Sequence, residues 1–400
     1  MTLQRDAPIS PVVRVQLEPA PTAMVWLQPG QKHEAIAVPS VLLAPGDALV
    51  EVELATICGS DVHTTLGHRA APAPLVLGHE QVGRIVALGD GAVTSTGRQL
   101  TLGQRVVWSL TVGCGQCALC RRGLPQKCET VKKYGHERLE PGWELSGGFA
   151  SHVQVRSGTA IVPVSEDLPA TVLAPVSCGT ATAAAALEAA EALSPLDGAV
   201  VLVFGAGLIG LTVSAMAADR GACVIVVDPA KRRRALAARF GAALVADPGA
   251  EPGHPDSLEA ALDRSGDRPL VALDASGSPP AVASAIDSVG IGGVVVLVGS
   301  VSPSAPVSLD PESIVRRLVS IRGVHNYAPR HLEAAARFIE TRSASYPFDE
   351  LVGATVALAD LDDGLEAAAG GRAVRIGVAP GLAPVLPCSR IAHDVPARED

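Results

Sequence analysis

The chain has 400 residues, enough for about two domains with buried cores. Hydrophobic residues make up 48% and charged residues 18%, broken throughout by Gly and Pro, which excludes a disordered tail or a fibre and fits a soluble globular protein. Lys and Arg number 32 against 41 acids, a formal charge of −9 without a long basic run, so nucleic acid is not an expected partner.

No stretch approaches the roughly 18 uninterrupted apolar residues of a membrane helix, so no membrane partner is expected. Met1 to Arg14 carries Asp6, Pro8 and Pro11 where a signal peptide would be apolar, and a cytoplasmic location is inferred. From Val12 to about Gly103, short β runs such as Ala48 to Leu54 and Gln81 to Leu88 are punctuated by Gly and Pro, the pattern of an irregular all-β domain. Gly113 to Cys128 reads as a Cys/Gly/Arg-rich loop. Gly147 to Val155 returns to strand character, and Leu168 to Ala190 predicts an Ala-rich helix.

From Ala199 onward the rhythm changes. Apolar runs (AVVLVFG, CVIVVD, LVALDASG, GGVVVLVG) alternate with helix-like segments (LIGLTVSAMAADRG, AKRRRALAARFG, AVASAIDSVG), and this alternation predicts a doubly wound parallel sheet over about 181 to 325. The fold class is therefore α/β, a β-rich domain plus a dinucleotide-type domain. One more helix (His331 to Thr341) and mixed β segments follow over 326 to 380, then a polar tail over 381 to 400, expected to be partly disordered.

Gly205-Ala206-Gly207-Leu208-Ile209-Gly210 follows Phe204 at the end of a buried strand and opens a helix. Glycines there permit a tight turn and close backbone approach to a pyrophosphate, and the helix N-terminus adds partial positive charge. Asp228 closes the second strand, 18 residues past Gly210, where a carboxylate accepts ribose hydroxyls and repels a 2′-phosphate. NAD is favoured over NADP. The run Lys231 to Arg234 is read first as a solvated helix face, with 2′-phosphate binding as the alternative.

Eight cysteines are too few for a disulfide scaffold, and four crowd into fifteen positions: Cys114-x2-Cys117-x2-Cys120-x7-Cys128. Four thiolates on one loop fill a tetrahedral shell, so this site is expected to hold a structural zinc, ahead of disulfides or an iron–sulfur cluster. Cys223 and Cys388 are read as a buried hydrophobe and an incidental thiol. Upstream, Cys58-Gly59-Ser60-Asp61-Val62-His63 and Gly78-His79-Glu80 offer a thiolate, imidazoles and carboxylates from separate loops, a set suited to a catalytic zinc with an open position.

The order CGSDVH, GHE, CGQCALCRRGLPQKC, GGFASHV and GAGLIG resembles the zinc-dependent medium-chain alcohol dehydrogenase family over residues 25 to 380. The stretch is also similar to a bacterial subgroup associated with phosphonate catabolism. The resemblance implies a GroES-like catalytic domain over 1–180 with the zinc loop 113–128, a Rossmann domain over 181–325, a return to the catalytic domain over 326–380, and a cleft between the domains. It implies that Cys58 and His79 bind the catalytic zinc, that Glu80 is a ligand or a nearby carboxylate, and that Ser60 contacts the substrate oxygen. Cys178, in APVSCGTAT, matches the family's third-ligand segment, with a packing role as the alternative. Several relatives carry a cation after the first zinc cysteine; here that residue is Gly59, which implies weaker cofactor affinity.

The expected activity is reversible hydride transfer between a primary or secondary alcohol and NAD, with Ser60 taking the hydroxyl proton and His63 passing it on. A homodimer or homotetramer follows from the resemblance. His325-Asn326-Tyr327 is taken as structural. A catalytically silent scaffold or sensor that binds NAD and zinc without turnover is the alternative, because motifs do not report turnover; a zinc-ribbon binding protein leaves GAGLIG and CGSDVH without a purpose.

Overall fold

The computed structural model describes residues 12–383; the tail from 384, Cys388 and the first eleven residues lie outside the described residues. Six parallel strands form one sheet in the order Leu244–Ala246, Cys223–Val227, Val200–Phe204, Val271–Asp274, Val294–Leu297, Ser320–Gly323. In chain order this is 3-2-1-4-5-6, the doubly wound arrangement whose topological switch lies beside the first strand. Val200–Phe204 is buried at all five residues because helices cover both faces. Leu208–Ala218 and Gly179–Glu191 share one core with the valines of this sheet.

The other unit is built on an eight-stranded sheet, with central order Thr159–Pro163, Arg105–Val112, Gln81–Leu88, Ala48–Thr56, Arg375–Ala379, Val352–Ala357. The two last strands come from the C-terminal end of the chain. Gly377 pairs with Thr56 and Val378 with Ala55, antiparallel, and Ile57 N–H donates to Ile376 C=O. This pairing brings Arg375 beside the Cys58 segment across more than three hundred residues.

Three local expectations change. The predicted helix from Leu168 to Ala190 is broken into Ala170–Leu173, a 3₁₀ turn Ala174–Ser177 and Gly179–Glu191, bent by 52°. Pro175 has no N–H to continue the first piece, and Cys178 at the break takes a non-helical backbone. The predicted strand Gly147 to Val155 is regular only over His152–Val155. A Cβ on Gly147 would lie 2.1 Å from Val76 O, so the glycines let this segment press on the chain before His79. The loop Gly113 to Cys128 contains a helical turn at Ala118–Arg121 and a 3₁₀ turn at Pro125–Lys127. The first block is β-rich as expected but includes the helix Gly59–Thr65.

No single helix among the described residues is long and apolar enough to cross a membrane.

Candidate active site and metal centres

The sulfurs of Cys114, Cys117, Cys120 and Cys128 all lie within 4.8 Å of one another, and all four cysteines are free. Cys128 Sγ is 3.5 Å from Cys114 Sγ and 3.9 Å from Cys117 Sγ. Sulfurs about 2.3 Å from a tetrahedral zinc stand about 3.8 Å apart, so the set fits that ion. Backbone N–H groups of Cys114, Cys117 and Cys120 point at neighbouring sulfurs at 3.2, 3.3 and 3.5 Å. The N–H of Cys114, followed by Thr130, brings the Cys128 thiol down to about 6. Burial and neighbouring sulfurs push Cys120 up to about 12.

The second cluster joins Cys58, His79, Glu80 and Cys178, again with donor atoms within 4.8 Å of one another. Cys58 caps the helix Gly59–Thr65, where the Asp61 carboxylate accepts its backbone N–H at 2.9 Å. The other oxygen of Asp61 stands 3.4 Å from His79 Nδ1, leaving Nε2 to face the cluster, with Ser60 Oγ 3.4 Å from it. A carboxylate behind a ligating imidazole fixes its tautomer and raises its basicity. Burial opposes a proton on His79, but Asp61 outweighs it and the imidazole is raised well above its ordinary range. Cys178 is placed at the helix break, and Ser177 Oγ beside it accepts from Gln81 N–H at 3.1 Å.

Glu80 is fully buried and belongs to Arg375: Nε meets Oε2 at 2.6 Å and Nη2 meets Oε1 at 2.8 Å, with Thr56 Oγ1 donating to Oε2 at 2.7 Å. Burial is the largest influence on Glu80 and lifts its pKa, Arg375 pulling the other way. The two sulfurs act on each other directly. Cys58 is lowered well below a usual thiol, first by the hydrogen bond from Cys178, while Cys178 is raised by that same bond and by burial. Two sulfurs and an imidazole, with the carboxylate drawn aside, make a three-donor set that leaves one position open, the arrangement of a catalytic rather than a structural zinc.

This cluster opens into a cleft of about 310 Å³ whose walls include Ser60, His63, Gly207, Leu208 and Ile209. Gly205 has φ +96°, and a Cβ on Gly210 would strike Gly205 O at 1.8 Å, so this turn requires glycine at both positions. A Cβ on Gly207 would meet only Arg233, at 3.7 Å, so that side of the turn is bare for close approach by a dinucleotide. Asp228 follows the strand Cys223–Val227; its oxygens accept from Ala206 N–H and Ala230 N–H, both at 2.8 Å. These bonds fix the carboxylate against the glycine turn.

The structure divides the basic run. Arg234 is buried and donates to Asp228 C=O and Pro229 C=O and pairs with Asp247, whereas Arg233 reaches towards the glycine turn. Neither is an idle solvated charge. His63 is exposed at the cleft rim with no hydrogen bond to Ser60, its Nδ1 standing 3.5 Å from that of His68. The segment His325-Asn326-Tyr327 is only partly structural: Tyr327 donates to Ser177 C=O and accepts from Leu110 N–H, but His325 and Asn326 line the cleft. Arg375, Thr56 and the role of Asp61 escape a reading of the sequence. Asp61 lies inside the quoted motif; Arg375 has no local signal, since only the strand pairing brings it here.

Residues 44–166 match the alcohol dehydrogenase GroES-like domain and 209–341 match the zinc-binding dehydrogenase domain. Geraniol dehydrogenase of Castellaniella defragrans is 31% identical over 333 residues, 76% of this chain and 83% of that protein. Among solved structures, an alcohol dehydrogenase from Thermotoga maritima superposes with a TM-score of 0.81 at 27% identity, covering 90% of this chain and 99% of that one. A zinc-binding dehydrogenase from Sinorhizobium meliloti bound to NADP gives 0.77 at 25% identity, with coverage of 90% and 99%. The GroES-like sheet, the Rossmann sheet and the cleft between them define a zinc- and nicotinamide-type oxidoreductase. The chain belongs to the zinc-dependent medium-chain alcohol dehydrogenase family, whose members it resembles along most of its length.

Proposed function

We propose that this chain oxidises a primary or secondary alcohol, reversibly, with NAD as hydride acceptor. The observation that carries this reading is the cleft itself, where the Cys58, His79 and Cys178 donors face the same space as Gly207, Leu208 and Ile209. A zinc ion held by Cys58, His79 and Cys178 would supply the Lewis acidity that favours ionisation of an alcohol hydroxyl, and a nicotinamide cofactor bound at the glycine turn would supply the hydride acceptor.

The protein's own groups do the rest. Ser60 Oγ, beside His79 Nε2, accepts the hydroxyl proton; His63 lies three residues along the same helix at the solvent rim, placed to hand it to water. Glu80, held by Arg375, leaves the open position to substrate. The sulfurs of Cys114, Cys117, Cys120 and Cys128 would hold a second, structural zinc.

The choice of NAD rests on Asp228, whose fixed carboxylate repels a 2′-phosphate; the NADP-bound neighbour and Arg233 are what this reading has to overcome. Assembly as a homodimer is supported by the free edge of the parallel sheet at Ser320–Gly323, where Val315, Leu318 and Ile321 stand exposed.

Reduction of NAD by a panel of alcohols tests the reading. The expected result is absorbance growth at the reduced nicotinamide band that stops when chelator strips the metal. Binding of cofactor and zinc with no turnover on any alcohol or carbonyl would return the silent scaffold.

A further inference from the structure

We propose that the cleft selects alcohols that carry an anionic group, which Arg69 and Lys133 hold on the catalytic-domain wall; this rests on the dehydrogenase reading above. Among the described residues no Asp or Glu lines the cleft, whereas Arg69, Lys133 and Arg375 do. Arg375 is committed to Glu80, so it is not free to bind an anion. The Arg69 guanidinium has a single partner among the described residues, His136 Nε2 at 3.0 Å. Its other guanidinium donors are unused. Lys133 Nζ has no hydrogen-bond or ion-pair partner among the described residues.

His136 does not neutralise Arg69. Its Nδ1 lies 3.0 Å from Tyr134 C=O and must donate there, so Nε2 accepts from Arg69 as a neutral ring. Glu137 acts on Lys133 only through space, since one of its oxygens accepts the backbone N–H of Lys133 at 2.9 Å and the other stands 3.9 Å from Lys132 Nζ. Two half-buried cations without an ion-pair partner among the described residues therefore face the same space as the catalytic donors.

The Lys133 ammonium is lowered by burial first and then by Lys127 and Arg69, which together outweigh Glu137. His325, across the cleft, falls to about 4 through burial and then Lys127, Lys133 and Arg69. Like charges gathered in a partly dry cleft are unfavourable until an anion joins them. A neutral alcohol leaves that cost standing; a carboxylate or phosphate on the alcohol offsets it with charge-assisted hydrogen bonds.

The cofactor's own phosphates are the other source of negative charge. Position favours the substrate. Arg69 follows the helix that carries Ser60, and the His136 ring it contacts lies 4.8 Å from that of His79, while the glycine turn that would take the pyrophosphate forms another part of the wall.

The test compares 4-hydroxybutanoate with its neutral isostere 4-hydroxybutanamide on the zinc-loaded full chain, for the parent, Arg69→Met, Lys133→Met and Lys133→Arg. The acid should exceed the amide in kcat/KM by roughly 10- to 100-fold, the range one or two charge-assisted hydrogen bonds provide. Arg69→Met and Lys133→Met should each erase most of that preference through the KM of the acid, and Lys133→Arg should restore it. An amide as good as the acid overturns the proposal. So does a preference kept in both Met variants, or an effect confined to the KM of the cofactor, which would assign the cations to its phosphates. If neither alcohol turns over, the wider alcohol panel decides the dehydrogenase reading separately, and calorimetric titration of 4-hydroxybutanoate decides this one: binding lost in Lys133→Met upholds the anion site, and binding kept in that variant or absent from the parent overturns it.

Discussion

Arg375 grips both oxygens of Glu80, at 2.6 and 2.8 Å, while its Nη2 stands 3.7 Å from Cys58 Sγ. One guanidinium therefore does two things: it draws the carboxylate away from the open side of the metal donors, and it offsets the negative charge of a cysteine thiolate. Replacing it by leucine would leave Glu80 buried without a partner cation. A buried pair broken on one side costs about 3–5 kcal/mol. Arg375→Leu should therefore lower the thermal midpoint and cut turnover by about 10- to 100-fold, as loss of a group that orients metal ligands typically does. Arg375→Lys keeps the charge but not the two-pronged grip, and should fall between. A differential scan and kcat on both variants check this.

Zinc content follows from the two donor sets. Fresh protein should carry two ions per chain by elemental analysis, because the ligands divide into Cys114, Cys117, Cys120, Cys128 and Cys58, His79, Cys178 without overlap. Protons compete with metal for thiolates, so zinc should leave as the pH falls. The direction is set by Cys128: its pKa is lowered from 9.0 to about 6, so its contribution is full above the ordinary thiol value and is lost as the pH falls through about 6. Metal retention measured after dialysis at stepped pH should decline as the pH falls, with the protein losing thermal stability alongside. Full activity with one zinc or none would refute the two-site reading.

The legible part of this protein was whatever local chemistry spells out. GAGLIG after a buried strand, the alternation of strand and helix, and the four-cysteine spacing each rest on residues close in sequence, and the structure places them as expected. Arg375 was not legible, because its role arises from an antiparallel pairing between strands more than three hundred residues apart. Arg69, Lys133 and His136 were silent for a similar reason: each is an ordinary polar residue in its own segment, and only the fold turns them towards one cleft. The break at Cys178 was half legible. Pro175 announces the end of a helix, yet the Ala-rich composition on either side argues for one continuous helix. Tertiary packing decides, with Gly179 so close to Leu208 that a Cβ there would meet its Cδ2 at 2.3 Å.

Cofactor choice should follow Asp228. Its carboxylate is held against the glycine turn by Ala206 N–H and Ala230 N–H, so it cannot swing clear of an added 2′-phosphate. The kcat/KM for NAD should exceed that for NADP, and Asp228→Ala should narrow the ratio by at least about tenfold, the effect of about 1.4 kcal/mol of lost repulsion and ribose bonding. A parent that prefers NADP would show instead that Arg233 reads the phosphate.

Proton transfer should depend on Ser60 more than on His63. Ser60 Oγ lies 3.4 Å from His79 Nε2, inside the cleft, whereas His63 is exposed and water can stand in for it. Ser60→Ala should keep its zinc and lose about 10²- to 10⁴-fold in turnover, the usual worth of general acid–base assistance. His63→Ala should lose less and recover with rising pH or added buffer. Undiminished turnover in Ser60→Ala would remove that hydroxyl from the mechanism.

The third ligand of the catalytic zinc is the sharpest of these tests, because Cys178 and Glu80 both stand within 4.8 Å of Cys58 and His79. Distance alone does not separate them; their other partners do. Glu80 already accepts three hydrogen bonds, two from Arg375 and one from Thr56, and ligation would break at least part of that set in a fully buried place. Cys178 has no such commitment. Its contact with Cys58 lowers that sulfur and raises its own, so the two stand close enough to serve one divalent ion, which would keep both charged. Two thiolates already neutralise the ion, so its charge does not call for a third negative ligand. Cys178→Ser should therefore lose the catalytic zinc and fall to about one ion per chain, with activity gone. Glu80→Gln should keep two ions and lose activity by about 10- to 100-fold through misplacement of Arg375 and Cys58. Both variants are read by elemental analysis beside kcat. Retained metal and activity in Cys178→Ser, with loss of metal in Glu80→Gln, would transfer the ligand role to the carboxylate.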